Sequence, residues 1–420
     1  MSGADSPRER ALSAWREGRY AEARDATRAW VAAEPRSAEA HQLDGQAAAR
    51  LGDAHGAARS FEAAESLGGD VACAFNAGNA WKAAGNREAA RAAWRRAARH
   101  AASLGPHAAA LAKALGKAGD VAAAAEVWRG IVGADPDAFD AIQALVDLAS
   151  ADRASATSPL PLDSPGDRPP PRSFSFVICS IDASKFDAIS VTIAARFAEL
   201  DVELIRIGDA TSLCEGYRRG LARARGDAIV FCHDDIDLLA PDAAHRLARH
   251  LTRHDLVGVA GTTQVTGPAV FWSGHPHIHG WMTHRLPGED AYETSFSSLA
   301  GPVVAGMQAI DGVLMACRRE LALAVPFDEA TFDGFHLYDL DFSVRAHRAG
   351  WRLAVACDLG IVHASKGRFD AAWERYAARF RAKYPELSGA RGAPHWYATR
   401  VATPYDVLAV QARLRELAVS

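Results

Sequence analysis

No apolar run in this 420-residue chain approaches the roughly 20 residues needed to cross a bilayer, so any membrane association would be peripheral. Basic residues are not in excess. The net charge of −4 leaves no electrostatic footprint for nucleic acid. Cysteine is sparse and unpaired: six residues (Cys73, Cys179, Cys214, Cys232, Cys317 and Cys357) lie far apart, with no C-x-x-C pair. Several sit inside apolar runs, which predicts reduced, buried thiols and a cytoplasmic protein. The opening MSGADSPRERALSAW has no apolar segment and predicts no secretory signal. Charged residues make up 23% and hydrophobic ones 49%, a globular balance rather than a disordered one. The length accommodates two or more domains.

What the chain does have, up to about residue 150, is alanine and a strict period. Gly18, Gly52, Gly85 and Gly119 recur at intervals of 34, 33 and 34 residues. Five residues after each stands an alanine (Ala23, Ala57, Ala90, Ala124), and nine after three of them an aromatic (Phe61, Trp94, Trp128). Gly45 and Gly78 sit seven residues before two of the anchor glycines, and Pro35 and Pro136 end the first and last units. The pattern resembles the tetratricopeptide repeat. It implies helical hairpins with glycine at the turn, small residues where the helices touch, and aromatics filling the gap to the next unit. Four such units and a closing helix near 138–150 would bury one continuous core. The concave face is then either a docking groove for a peptide or protein, or a self-association face, as in a homodimer. Residues 151–172 are rich in proline and serine and predict a semi-rigid linker.

From residue 173 to 420 the texture is that of a second domain. FSFVICS and VELIRI read as buried strands, and Leu213, Tyr217 and Leu221 mark a helix face at i, i+4, i+8. Gly226–Asp227 turns the chain into the strand Ile229–Cys232, and Pro241–Asp242 opens a further helix. Alternating strands and helices predict a mostly parallel sheet with crossover connections. The strand that ends in Cys232 runs into His233–Asp234–Asp235–Ile236–Asp237. In such sheets ligands bind beyond the carboxyl ends of the strands. Three crowded carboxylates repel one another unless a cation neutralises them, and oxygen-rich clusters suit Mg²⁺ or Mn²⁺.

Taken together, FVICS, GYRRGLARARGD, FCHDDID, DGVLMA, FHLYDLDFSVRAHRAGW and VHASKG resemble the GT-A glycosyltransferases of the family-2 type, in the branch whose metal motif begins with histidine. The resemblance spans about 174–390, and Arg218 departs from it where the family usually carries asparagine. It implies an α + α/β chain: a tetratricopeptide-repeat solenoid followed by a Rossmann-like GT-A domain. By the same resemblance Asp235 is the principal metal residue, with His233 and Asp234 before it. Asp235–Ile236–Asp237 offers a second DxD register, and both registers stay open. His233 is a metal ligand, a ribose contact or a strand-end residue held by backbone. His363, after a late strand, falls where the family often has a third ligand, and Lys366 and Arg368 would neutralise the departing diphosphate. Cys179, Ser180 and Asp182 fall where the family's base and ribose sit. Asp209 is a similar candidate, and Tyr217 lies on the helix expected near the donor. Asp339 falls on the catalytic-base position, with His336 on the same helix face three residues earlier. Asp341 is either part of the acidic catalytic pair or an ion partner of Arg345. Alternating His275, His277 and His279 are expected in an acceptor-side loop rather than in a zinc site, and Asp311–Gly312 beside the acceptor.

The implied reaction is metal-dependent, inverting transfer of a sugar from a nucleotide-diphosphate sugar. The attached repeats point to a polypeptide acceptor. The alternatives are a saccharide or lipid-linked acceptor with repeats that oligomerise, or a non-catalytic scaffold.

Overall fold

The computed structural model describes residues 6–156, 160–297, 301–367, 369–393 and 396–419. The chain divides into two compact units, Met1–Leu148 and Ala149–Ser420.

The first unit is a row of antiparallel helical hairpins: Pro7–Arg16 with Tyr20–Ala33, Ala38–Arg50 with Ala54–Ser66, Ala72–Ala83 with Arg87–Ala98, and Ala108–Lys117 with Val121–Ala134. The helix Phe139–Ala151 follows. Gly18, Gly52, Gly85 and Gly119 make the hairpin turns, at φ +73°, +79°, +79° and +76°. Only glycine adopts that left-handed backbone without a Cβ penalty, which explains the period. The repeated alanines are buried, as expected of close helix contacts. The aromatics act first inside their own hairpins. A Cβ added at Gly45 would lie 2.8 Å from the Phe61 ring, and one at Gly78 2.3 Å from that of Trp94. Phe61 also joins Ala77 and Ala80 of the next hairpin in one apolar cluster. Phe61 therefore closes its own unit and meets its neighbour.

The stretch expected to be a spacer is, from residue 160, packed on the second unit. Arg246 Nη2 donates to the Leu160 carbonyl at 2.8 Å, and Arg168 donates to the His254 carbonyl at 2.9 Å and pairs with Asp255. The proline-rich composition signalled extended backbone; it did not signal the arginines that tie it down.

The strands of the second unit are β1 Ser173–Cys179, β2 Asp201–Ile207, β3 Ala228–Cys232, β4 Ile236–Leu238, β5 Leu256–Gly258, β6 Ala260–Thr262 and β7 Ile278–Arg285. They continue with β8 Tyr292–Phe296, β9 Val303–Ala305, β10 Ala309–Ile310, β11 Leu314–Arg318, β12 Leu353–Ala356, β13 Ile361–His363 and β14 Tyr397–Val401. The main sheet runs β2-β1-β3-β11-β5-β12-β9. The β1–β2, β1–β3 and β5–β12 pairs are parallel, but β11 is antiparallel to both β3 and β5, and β9 to β12. The sheet is therefore mixed, not mostly parallel. Insertion of β11 the other way round brings its start, Leu314, opposite Cys232 at the end of β3. The Asp311–Gly312 turn is thereby delivered to the strand ends where the site lies. Phe176, Ile178, Val230, Leu314 and Val257 join the buried core beneath it. A second sheet, β10-β6-β7-β13-β4, flanks the same region.

Candidate metal and catalytic site

The five residues of β3 are all buried, so the strand ends where the chain can first present polar groups. The His233 amide donates to the Val313 carbonyl at 3.1 Å, which holds the histidine against the start of β11. The chain then bends through Asp234 and Asp235 into β4. That strand pairs antiparallel with β13, and the register sets His363 opposite Ile236. His363 is thus placed beside Asp235, 128 positions earlier in the chain, by sheet pairing alone.

Three donor atoms meet there. His233 Nδ1 is 3.2 Å from His363 Nε2, His363 Nε2 is 3.3 Å from Asp235 Oδ1, and His233 Nδ1 is 3.9 Å from Asp235 Oδ1. A point equidistant from the three lies about 2.0 Å from each, given edges of 3.2, 3.3 and 3.9 Å, which is metal–nitrogen and metal–oxygen bonding distance. Among the described residues this is the group of three or more such side chains that could hold an ion. Two of the three are held in the charge state an ion needs. Burial raises the Asp235 carboxyl, but hydrogen bonds from His363 and Ser365 outweigh it and hold the group well below the usual carboxylate range. Burial, then the facing His363, pushes His233 down, so its imidazole is neutral with a lone pair to give. Supporting contacts fix the shell. The Ser365 amide donates to Asp235 Oδ2 at 3.1 Å, the Ala364 amide to the Asp235 carbonyl at 2.9 Å, and His284 Nδ1 lies 2.8 Å from the His363 carbonyl.

Asp237 stands outside this group. It lies within β4, and its carboxylate accepts from Thr192 Oγ1 at 3.1 Å on the helix Ala183–Arg196. The second DxD register is therefore not assembled. Asp234 turns toward β1, where its Oδ2 lies 2.7 Å from the Ser180 hydroxyl. The same hydroxyl is 2.8 Å from the Asp182 carbonyl, so Ser180, Asp182 and Asp234 gather at the ends of β1 and β3. Asp182 also caps the helix that follows, accepting from the Ser184 amide at 2.8 Å. Cys179, at the end of β1, is half-buried, and burial pushes its thiol up to about 12. Asp209 is not gathered with them: its side chain is 80% exposed and bound to Arg219 at 2.6 Å. Tyr217 is wholly buried, its hydroxyl directed at the Cys232 carbonyl at 3.4 Å. It belongs to the core, as the apolar spacing with Leu213 and Leu221 also implied, and cannot touch a donor. Lys366 is exposed in the loop after β13, and Arg368 lies outside the described residues. Arg218 pairs with Glu329 at 2.9 Å.

The acidic helix begins later than the sequence suggested. It spans Tyr338–Arg348, and Leu337 before it takes φ +63°, the one positive value among described non-glycine residues. That turn removes His336 from the helix face of Asp339; the histidine instead sits 6.1 Å, ring to ring, from Tyr376. Asp341 is buried and saturated by Arg345 Nε at 2.8 Å, Lys383 Nζ at 2.5 Å and the Tyr384 hydroxyl at 2.6 Å. It anchors the helix with its carboxylate oxygens already taken. Asp339 is different. Protein surrounds it on most sides while solvent still reaches it, and its Oδ2 accepts from the Gly312 amide at 2.8 Å. Burial, with the Asp311 carboxylate second, pushes its carboxyl up to about 7. A short chain of contacts joins it to the metal group: Gly312 accepts from Tyr338 at 3.3 Å, and Tyr338 Oη lies 3.1 Å from His233 Nε2. Tyr338, Ser365 and His284 were not singled out in the sequence. The tyrosine is one of several aromatics in FHLYDLDFSVRAHRAGW, with nothing to set it apart.

His279 lies in β7, while His275 and His277 precede it; none joins a three-ligand group among the described residues.

Residues 175–384 match the family described as "Glycosyltransferase like family", half of the chain. The chain belongs to that family, and carries its transferase domain behind tetratricopeptide-type hairpins. No curated protein matches it in sequence. Among solved structures it is similar to a mannosyltransferase from Pyrobaculum calidifontis in complex with GDP-Man and Mn²⁺. The identity there is 14%, over 65% of this chain and 81% of that one, with TM-score 0.35. It is also similar to MamA from Desulfovibrio magneticus RS-1 (21% identity, 35% of this chain, 83% of that one, TM-score 0.28). A tetratricopeptide-repeat protein from Bacteroides fragilis is a further likeness (16% identity, 36% and 72%, TM-score 0.26). No helix among the described residues is long and apolar enough to cross a membrane.

Proposed function

We propose that this glycosyltransferase moves a sugar from a nucleotide-diphosphate sugar to an acceptor with inversion, and that it depends on a divalent ion held by His233, Asp235 and His363. The observation that carries the reading is the triangle of Nδ1, Nε2 and Oδ1 donors at the end of β3, with edges of 3.2, 3.3 and 3.9 Å. Two of the three donors are imidazoles, which favours Mn²⁺ over Mg²⁺, an ion that takes oxygen ligands and keeps its waters. Bound there, the ion supplies Lewis-acid stabilisation of the charge that builds on the leaving diphosphate.

The remaining chemistry belongs to the chain. Asp339 takes the proton of the acceptor hydroxyl as its oxygen attacks the anomeric carbon. The bond from that carbon to the diphosphate oxygen breaks, and the diphosphate leaves with the electron pair. One in-line displacement inverts the configuration. A carboxyl raised to about 7 is matched to this role, because a general base works best with a pKa near the working pH. Ser180, Asp182 and Asp234, at the ends of β1 and β3, are the groups proposed to meet the nucleoside. Lys366 is proposed to meet the diphosphate. The helical repeats are proposed to dock a polypeptide acceptor, since tethering raises the acceptor's effective concentration at a second site.

The test is a screen of UDP-, GDP- and dTDP-sugars with and without Mn²⁺, reading thermal stabilisation and release of nucleoside diphosphate. Binding to the folded state raises the melting temperature by mass action. Mn²⁺-dependent stabilisation and turnover with one donor supports the reading. Stabilisation without turnover would favour a non-catalytic scaffold, and neither would overturn donor binding altogether.

A further inference from the structure

We infer that Tyr338 is a positioning residue that fixes His233 in the tautomer able to bind a metal; the inference rests on the metal reading above. His233 has two ring nitrogens with different neighbours. Nδ1 faces His363 Nε2 and Asp235 Oδ1, while Nε2 lies 3.1 Å from Tyr338 Oη. For Nδ1 to offer a lone pair to an ion, the proton of the neutral ring must sit on Nε2. An N–H there needs an acceptor, and Nε2 is the nitrogen that meets the buried Tyr338.

Tyr338 supplies one. Its hydroxyl carries a single proton, and the Gly312 carbonyl, which can only accept, receives that proton at 3.3 Å. The phenolic oxygen then accepts from Nε2–H. The neighbouring Tyr217 is a second acceptor for the same proton: its own hydroxyl is directed at the Cys232 carbonyl at 3.4 Å, so toward Tyr338 its oxygen accepts, and the Tyr338 oxygen stays free for Nε2–H. Tyr338 is buried at 3% exposure, with its ring edge-on to Tyr217 at 5.6 Å, so the hydroxyl has little freedom to turn elsewhere. Position 312 is part of the same arrangement. A Cβ there would lie 2.1 Å from the Tyr338 hydroxyl, so glycine lets the oxygen reach both partners. The left-handed turn at Leu337, φ +63°, starts the helix so that Tyr338 and Asp339 are its first two residues. One turn thus presents the tautomer-fixing phenol and the proposed base side by side.

Tyr338→Phe keeps the ring and removes only the hydroxyl. In the full chain, Mn²⁺ titrated by electron paramagnetic resonance should bind wild type, and bind Tyr338→Phe about 10–100-fold more weakly, the usual cost of losing an outer-shell partner. The Co²⁺ absorption spectrum should change between the two proteins, while the metal-free melting temperature moves little. A purely structural tyrosine would move the melting temperature and not the spectrum. Equal Mn²⁺ affinity and an identical Co²⁺ spectrum in a folded Tyr338→Phe would overturn the inference and leave the metal site standing. No Mn²⁺ binding by wild type would remove the metal reading and the inference with it. Should the variant not fold, ¹⁵N-histidine spectra of wild type, assigned against His233→Gln, decide the matter. A proton on Nε2 supports the role, and a proton on Nδ1 contradicts it.

Discussion

Asp339 is asked to do one thing, accept a proton, and its surroundings set the pH at which it can. Below about 7 the carboxyl is protonated and cannot act as a base; above that value it is ionised and can. The transfer rate should therefore rise with pH through about 7, and a rate flat from pH 5 to 8 would remove Asp339 from the role. Burial is the larger cause of the shift and Asp311 the next, so Asp311→Asn should move the rising limb to lower pH without abolishing it. An unmoved limb would mean that the two carboxylates do not interact. Asp339→Asn keeps the shape and loses the basic oxygen. It should retain donor binding and lose roughly 10²–10⁴-fold in transfer rate, the usual worth of a general base. Turnover at the wild-type rate would point to a base outside this helix, because Asp341 is already bound by Arg345, Lys383 and Tyr384.

At the scale of elements, the two units hold together for different reasons, and these were unequally legible in the sequence. The hairpins are local: the left-handed glycines and the paired Gly78 and Trp94 stand within one period, so spacing alone exposes them. Gly78→Ala would drive a Cβ to 2.3 Å from Trp94. It should destabilise the repeat unit by about 1–3 kcal/mol, as overpacking does, read as an earlier denaturant transition. An unchanged transition would mean the ring has room to shift. In the transferase domain the strand ending in FCHDDID was legible because an apolar run meets charge abruptly. The order of the motif words already joined His363 to Asp235, residues far apart in the chain that sheet pairing brings side by side. The antiparallel insertion of β11 was not legible, since pairing direction leaves no mark on a short buried strand. Nor was the turn at Leu337, where a leucine adopts a conformation its residue type disfavours. Missing that turn placed His336 on the wrong side of the helix start. Tyr217 was misplaced for the opposite reason: a motif position outweighed its own apolar spacing.

For the whole molecule, the proposal divides labour between the units. Every group of the candidate site lies in Ala149–Ser420, and the hairpins carry none of them. Deleting residues 1–148 should leave donor binding and slow donor hydrolysis intact while raising the KM for acceptor far more than for donor. Equal efficiency on the acceptor would instead make the repeats a self-association element. The central claim is narrower than that division and can be reached directly. Mn²⁺ should be titrated into the full chain and into Asp235→Ala, each with a saturating nucleoside diphosphate, and free ion followed by electron paramagnetic resonance. The account predicts one bound Mn²⁺ per chain in wild type and none in Asp235→Ala, with both proteins folded. Equal binding in the two, or no binding in wild type, would contradict it.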